Sequence, residues 1–364
     1  MPRLPVTLLS GFLGSGKTTL LSRLLRQTRM SGTAVVMNEF GEIALDHLLV
    51  ATAGVQTVLL DGGCVCCAVR DDLAETLLSL HAGREAQDAP AFERVVIETS
   101  GLADPTAIAA LLLRDPALAA RFELDAVIVT VDALHASGQL DTQAEAVNQV
   151  MLADRLLLTK VDLVDTATRE ALCERLRMLN PAAMQLSCAH GEIEPSQVIG
   201  LHARGDTALD VTRWHVADPA QESGGHQGCK HDASRDHDPT CGHAAHDHGI
   251  RAHCICIDEP FDWTVLSSWL GSVAYHHGEN ILRMKAIVQV QDEAQPIVMH
   301  GVQRWLHEPG TLPAWPGEDR RSRFVFIVRN LPRAALTDAL DAAWCEAGPG
   351  GADGDAHCRA ARLV

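Results

Sequence analysis

Lysine is nearly missing from this chain. Only Lys17, Lys160, Lys230 and Lys285 occur among its 30 basic residues, so arginine supplies almost all of the positive charge. Where a plain surface cation suffices, arginine is used. A lysine then marks a place where a compact ammonium is needed instead of a planar fork. Positive charge is short overall: 47 acidic residues against 30 basic ones leave a formal charge of −17. Such a surface repels phosphate backbones and anionic lipid, which argues against nucleic acid and membrane as partners. No apolar run is long enough to span a bilayer, and no internal repeat is visible. The eleven cysteines fit reduced thiols better than a disulfide framework.

What is present is a core-forming composition, 47% apolar over 364 residues, with room for one large domain and a smaller one. Short β-type runs alternate with amphipathic stretches in the first half. Leu4 to Leu9, Ala34 to Asn38, Thr57 to Leu60, Arg94 to Glu98, Asp125 to Val131 and Arg155 to Thr159 read as strands. Helical segments lie around Lys17 to Gln27, Val69 to His81, Pro105 to Leu113, Thr142 to Leu152 and Thr166 to Leu179. Unbroken apolar runs separated by helices predict an α/β fold, a mostly parallel sheet covered by helices on both faces. Ligands in such sheets bind beyond the carboxyl ends of the strands.

The boundaries that follow are residues 1–205 for this domain, a His- and Cys-rich linker over 206–250, a smaller α+β domain over 251–347 and a tail over 348–364. In the smaller domain His253 to Asp258, Ile281 to Val290, Gln295 to Trp305 and Arg323 to Val328 read as strands, with helices at Trp263 to Leu270 and Leu331 to Cys345. Trp263, Trp269 and Trp305 suit core packing better than an interface. Met1 to Leu13 is apolar with one arginine, like a leader. Its removal would destroy the loop that begins at Gly11, so the expected location is the cytoplasm.

Gly11 to Thr18 reads Gly-Phe-Leu-Gly-Ser-Gly-Lys-Thr and fits the phosphate-cradling pattern GxxxxGKT. Its glycines turn backbone N–H groups toward phosphate oxygens, Lys17 reaches the β- and γ-phosphates, and Thr18 offers its hydroxyl to Mg²⁺. Gly11, Gly14, Ser15, Gly16, Lys17, Thr18 and Thr19 are therefore the expected nucleotide contacts. Thr159-Lys160-Val161-Asp162 follows a strand and is similar to the Asn-Lys-x-Asp base motif, in which the Asp accepts from guanine. Asp162 also reads as a helix N-cap. Glu98-Thr99-Ser100-Gly101 ends a strand where a γ-phosphate sensor belongs; Glu98 can hold Mg²⁺, and Gly101 lets a switch loop move. The expected catalytic set is Lys17, Thr18 and Glu98. Glu39 and Glu42, in a candidate first switch, read equally as solvated loop acids and as metal or nucleotide ligands.

Cys64-Val65-Cys66-Cys67 follows Gly62-Gly63 and places three thiols within four residues. Zn²⁺ prefers tetrahedral sulfur and nitrogen ligands, and a three-thiolate site leaves one position open for transfer. Between Gly225 and His253 lies a second reservoir, with His226, His231, His237, His243, His246 and His248 as weak-site ligands. No zinc-finger spacing is present there. His190, His276 and His277 carry no ligand role.

Taken together, residues 11–20, Asn38 to Glu42, Gly62 to Cys67, Glu98 to Pro105 and Thr159 to Asp162 closely resemble the CobW-type GTPases, P-loop metallochaperones related to UreG and HypB. Glu279 to Ala286 and Val302 to Trp305 look like that family's C-terminal domain. The resemblance implies GTP hydrolysis coupled to delivery of a metal, most often zinc, to a client metalloprotein. It leaves open Co²⁺ delivery for corrin synthesis or nitrile hydratase maturation, and self-association into a homo-oligomer. Thr159 departs from the usual Asn, and Ala44 from a usual Gly. Two readings outside the class compete: a storage or sensor protein with a regulatory nucleotide site, and a small-molecule kinase that prefers adenine.

Overall fold

The computed structural model describes residues 3–37, 56–59, 68–86, 91–201 and 249–347. The first sheet comprises β1 (Leu4–Gly11), β2 (Thr33–Met37), β3 (Gln56–Leu59), β4 (Arg94–Glu98), β5 (Phe122–Asp132), β6 (Arg155–Thr159) and β7 (Met184–Cys188). Their spatial order is β3-β2-β4-β1-β5-β6-β7, and each pairing is parallel. The helices of this unit are α1 (Lys17–Leu25), α2 (Ala68–Glu85), α3 (Pro105–Arg114), the short α4 (Pro116–Ala119), α5 (Ala136–Thr142), α6 (Ala144–Leu152) and α7 (Thr166–Leu179).

The period-2 pleat explains the unbroken apolar runs, because both faces of the sheet are buried. Val95 and Ile97 join the cluster that includes Leu77, Ile108, Val150 and Leu176. Val96, between them, joins the cluster of Leu20, Leu21 and Leu24 under α1. Sequence reasoning missed β7. It is a half-exposed edge strand, Met-Gln-Leu-Ser-Cys, with little apolar signal. The helical stretch expected from Thr142 is two helices, broken at Gln143, where φ is −119°.

The second sheet contains β8 (Ile250–Ile257), β9 (Ile281–Val288), β10 (Ile297–Val302), β11 (Trp305–Leu306), β12 (Gly310–Thr311) and β13 (Ser322–Arg329), with α8 (Trp263–His277) and α9 (Arg333–Ala347). It is antiparallel, in the order β11-β10-β9-β13-β8, with β12 added beside β10. The single strand expected over Gln295 to Trp305 is a hairpin instead. Gln303 takes a left-handed φ of 55° and turns the chain back into β11. Phe324, Phe326 and Val328 point toward α8 and α9, where Trp269 is fully buried and its indole N–H donates to Leu336 O at 2.9 Å. Trp263 and Trp305 are 46% and 38% exposed, so only Trp269 follows the core reading.

The opposite face of the second sheet docks on the first unit: Leu282, Ile287, Val298, Val325 and Ile327 share one core with the helices α3 and α6. A buried ion cluster pins this junction. Asp154, between α6 and β6, accepts from Arg283 at 2.6 Å, contacts Lys285 Nζ at 2.6 Å and also accepts from the Val127 N–H. Burial pulls the Asp154 carboxyl upward, but Arg283 and Lys285 outweigh it and hold it far below the ordinary carboxylate range. Cys173, Cys188, Cys254 and Cys256 form no disulfide, whereas Cys345 is disulfide-bonded, which departs from a fully reduced chain.

Two predictions follow from the junction. Asp154→Asn leaves two cations buried against each other and should cost about 3–5 kcal/mol in denaturant unfolding; a loss below roughly 1 kcal/mol would contradict this account. His300 lies buried in the same junction. Burial first, then His307, Lys285 and Arg283, hold it well below the ordinary histidine value, against a smaller pull from Asp154. The unfolded chain therefore binds the proton more readily. Its contribution is fully present above about pH 6.5 and is lost as pH falls, by up to about 1.4 kcal/mol per unit. His300→Gln should flatten the stability profile between about pH 5 and 6.5.

Candidate nucleotide site

Because β1, β4, β5 and β6 run parallel, Gly11, Glu98, Asp132 and Thr159 emerge at one edge of the sheet. The loop after β1 turns there through left-handed glycines. Gly14 has φ +72°, with open space around it, and Gly16 at φ +95° caps α1. Gly11 is needed for room as well. A Cβ there would lie 2.3 Å from Thr130 Oγ1 and 2.5 Å from Thr130 O. The backbone N–H groups at the start of α1 have no intrahelical partner, which makes this an anion-binding helix end.

Lys17 folds over the loop and donates to Gly11 O at 2.8 Å and Phe12 O at 3.3 Å. Thr18 Oγ1 donates to Glu98 Oε1 at 2.6 Å, across 80 residues of sequence. Thr19 is exposed in the first turn of α1. Gly101 packs directly on the same loop, and a Cβ there would meet Leu13 Cα and N at 2.9 Å. The expected phosphate, magnesium and γ-phosphate-sensing residues thus come together in space.

Beneath the loop lies a floor of hydroxyls. Ser15 Oγ and Thr130 Oγ1 are 2.7 Å apart, Thr99 Oγ1 donates to Ser10 Oγ at 2.9 Å, and Thr159 Oγ1 donates toward Ser15 O at 2.8 Å and Val131 O at 3.2 Å. Thr159 therefore ties the phosphate loop to β6 from the position where the base motif usually has Asn. Lys160, at a left-handed φ of 54°, sends Nζ to Asp132 Oδ2 at 2.6 Å. Burial pulls Asp132 upward, but Lys160, His135 and the Leu134 N–H hold it below the ordinary value. Asp162 is exposed beyond them, and His190 Nε2 approaches its Oδ2 at 3.9 Å.

His190 follows β7, at a left-handed φ of 50°. Sequence reasoning gave it no part in the site, because the strand that carries it was not visible. Asp132 was missed too; its signal was a carboxylate closing an apolar strand, the same pattern that exposed Glu98. Cys64, Cys66, Cys67, Glu39 and Glu42 lie outside the described residues, as do His226, His231, His237, His243, His246 and His248. Among the described residues no group of three or more His, Cys, Asp or Glu is placed to hold a metal ion.

Thr159→Val removes the hydroxyl and leaves the buried Ser15 carbonyl short of a donor. It should lower stability by about 1–2 kcal/mol in denaturant unfolding, while Thr159→Ser retains most of it. A valine variant as stable as the native chain would remove Thr159 from this role.

The comparisons with known proteins agree with this geometry. The CobW/HypB/UreG nucleotide-binding domain model matches residues 5–187, and the cobalamin synthesis protein cobW C-terminal domain matches residues 250–344. The zinc chaperone YjiA of Escherichia coli is 31% identical over 344 residues, covering 93% of this chain and 98% of its own. The zinc chaperone CobW of a Sinorhizobium species is 24% identical over 370 residues, covering 93% and 97%. The solved structure of Zn(II)-bound YjiA GTPase from E. coli aligns with a TM-score of 0.64 at 27% identity, over 94% of this chain and 99% of that one. With both units matched and a relative aligned over nearly its whole length, the chain belongs to the CobW/HypB/UreG family of P-loop nucleotide-binding proteins, with a CobW C-terminal domain.

Proposed function

We propose that this protein hydrolyses GTP and couples the hydrolysis to handling of zinc, holding the ion at Cys64, Cys66 and Cys67 and passing it to a client metalloprotein. The contact between Thr18 and Glu98 carries the nucleotide half of this reading. Two oxygen donors from distant segments meet at the mouth of a phosphate loop. They suit Mg²⁺, a hard cation that takes oxygen ligands. When bound, Mg²⁺ would offset the charge of the β- and γ-phosphates.

The chain's own groups do the rest. Lys17 exchanges the Gly11 and Phe12 carbonyls for phosphate oxygens, and the N–H groups opening α1 bind the same anion. Asp162 accepts from the guanine edge, with Lys160 held in place by Asp132 and His190 beside them. For the metal half, topology supports the reading. β3 ends at Leu59 on the sheet edge that carries the phosphate loop, and the Gly-Gly-Cys-Val-Cys-Cys sequence follows it. The relatives described as zinc chaperones favour zinc over cobalt as cargo.

Linkage makes the two halves reciprocal. Zinc should bind about tenfold more tightly with a non-hydrolysable GTP analogue than with GDP, within the ordinary range of coupling between sites. Competition against a zinc-sensitive dye measures both constants. Equal affinities in the two nucleotide states would end the coupling. Turnover of ATP at the rate of GTP would end the guanine assignment.

A further inference from the structure

Gln149 lies on α6, 1% exposed, and has no place in the site as so far described. Its side-chain amide donates both hydrogens to the loop that follows β4, at 3.1 Å to Gly101 O and 3.0 Å to Ala103 O. That loop follows the strand ending in Glu98 and contains Gly101, which packs against Leu13 of the phosphate loop. Gln149 Oε1, in contrast, is buried and accepts no hydrogen bond from any described residue. An orphaned buried acceptor costs free energy, and a methionine of similar volume would fill the space without it. The amide is explained by its two donors and by the loop they hold.

The same helix is anchored to the second sheet. Asn148 Oδ1, next in the chain, accepts from Arg329 Nη2 at 3.0 Å, at the end of β13. Two residues beyond the helix end, Asp154 binds Arg283 and Lys285 of β9. Thus α6 touches the phosphate-sensing loop through one residue and the second sheet through its neighbours.

We infer that Gln149 is a positioning residue that holds the Gly101 loop against the phosphate loop and links its placement to the seating of the second sheet. The inference rests on the nucleotide reading above. Holding Gly101 at Leu13 readies its backbone for a third phosphate. Gln149 therefore favours triphosphate over diphosphate, and the second sheet, through Arg329, modulates that preference. A merely structural glutamine would change both nucleotide affinities together and leave their ratio alone.

The test is equilibrium binding of GDP and of a non-hydrolysable GTP analogue to the full chain and three variants. Gln149→Met should leave GDP affinity within about twofold and weaken the analogue about tenfold, the loss expected for two hydrogen bonds. Gln149→Asn keeps the amide but cannot span both carbonyls, and should shift the ratio by less in the same direction. It also decides the matter if the methionine variant does not fold. Arg329→Met should shift the ratio by roughly threefold the same way. A native ratio in the folded Gln149 variants overturns the role of Gln149. A native ratio in Arg329→Met overturns the link to the second sheet. A native chain that binds neither nucleotide overturns the proposed function itself, a distinguishable result.

Discussion

Parallel pairing of β1 with β4 and β5 is the constraint on which the remaining structure depends. It brings the phosphate loop, Glu98 and Asp132 to one edge, although they are far apart in sequence. Register does the fine placement. Leu9 opposes Glu98, so the carboxylate stands beside the last residues of β1, and Thr18, in the first turn of α1, can reach it. A one-residue slip would turn Glu98 from the α1 face, which it shares with Val96, to the face of Val95 and Ile97, and bury its charge in the cluster of Leu77, Ile108 and Val150. The burial of both faces forbids such a slip, so the same packing that stabilises the sheet fixes the geometry of the site.

The second sheet is joined to this frame by more than apolar contact. Its strands alternate. Phe324 and Phe326 feed its own helices, while Val325 and Ile327 join the core of the nucleotide unit. Such a shared core alone would tolerate sliding, because apolar contact is non-directional. The cluster of Asp154, Arg283 and Lys285 adds direction. One carboxylate bridges two buried cations and accepts from a backbone N–H of β5, a geometry that depends on direction as well as distance. Replacement of a buried ion pair by apolar residues is often neutral in stability, so its value here is orientation. It fixes how the second sheet sits on α6.

Much of this was legible from residue patterns, for identifiable reasons. The glycine loop was readable because left-handed φ at Gly14 and Gly16 leaves few other residue choices. The central strands were readable because both faces are buried, which forces unbroken apolar runs. What escaped was whatever tertiary contact decides. Strand β7 is polar and half-exposed because it lies at an edge, so its sequence carries little β signal. With β7 unseen, His190 could not be placed near Asp162. The break between α5 and α6 was hidden because Gln143 is a good helix former overridden by its surroundings. Gln149 was invisible as a functional residue, since a glutamine within an apolar helix has no motif; only the carbonyls above it give it meaning.

The hydroxyl floor explains why Thr159 can stand where Asn is usual. Ser10, Ser15, Thr99, Thr130 and Thr159 are each at most 5% exposed and contribute from four neighbouring segments. A buried anion site needs a neutral, compact support, since a carboxylate there would repel phosphate and a longer amide would need more room. Gly16 already brings the loop to 3.7 Å from the Thr159 methyl, measured from where its Cβ would be. At that spacing a hydroxyl reaches the Ser15 carbonyl directly. The threonine thus keeps the mechanical half of the motif, tying the strand end to the loop. The base-reading half would then fall to Asp162, which is exposed beyond the strand end. Separating the two duties in this way would keep the tie between loop and strand buried while the Asp162 end stays open to solvent.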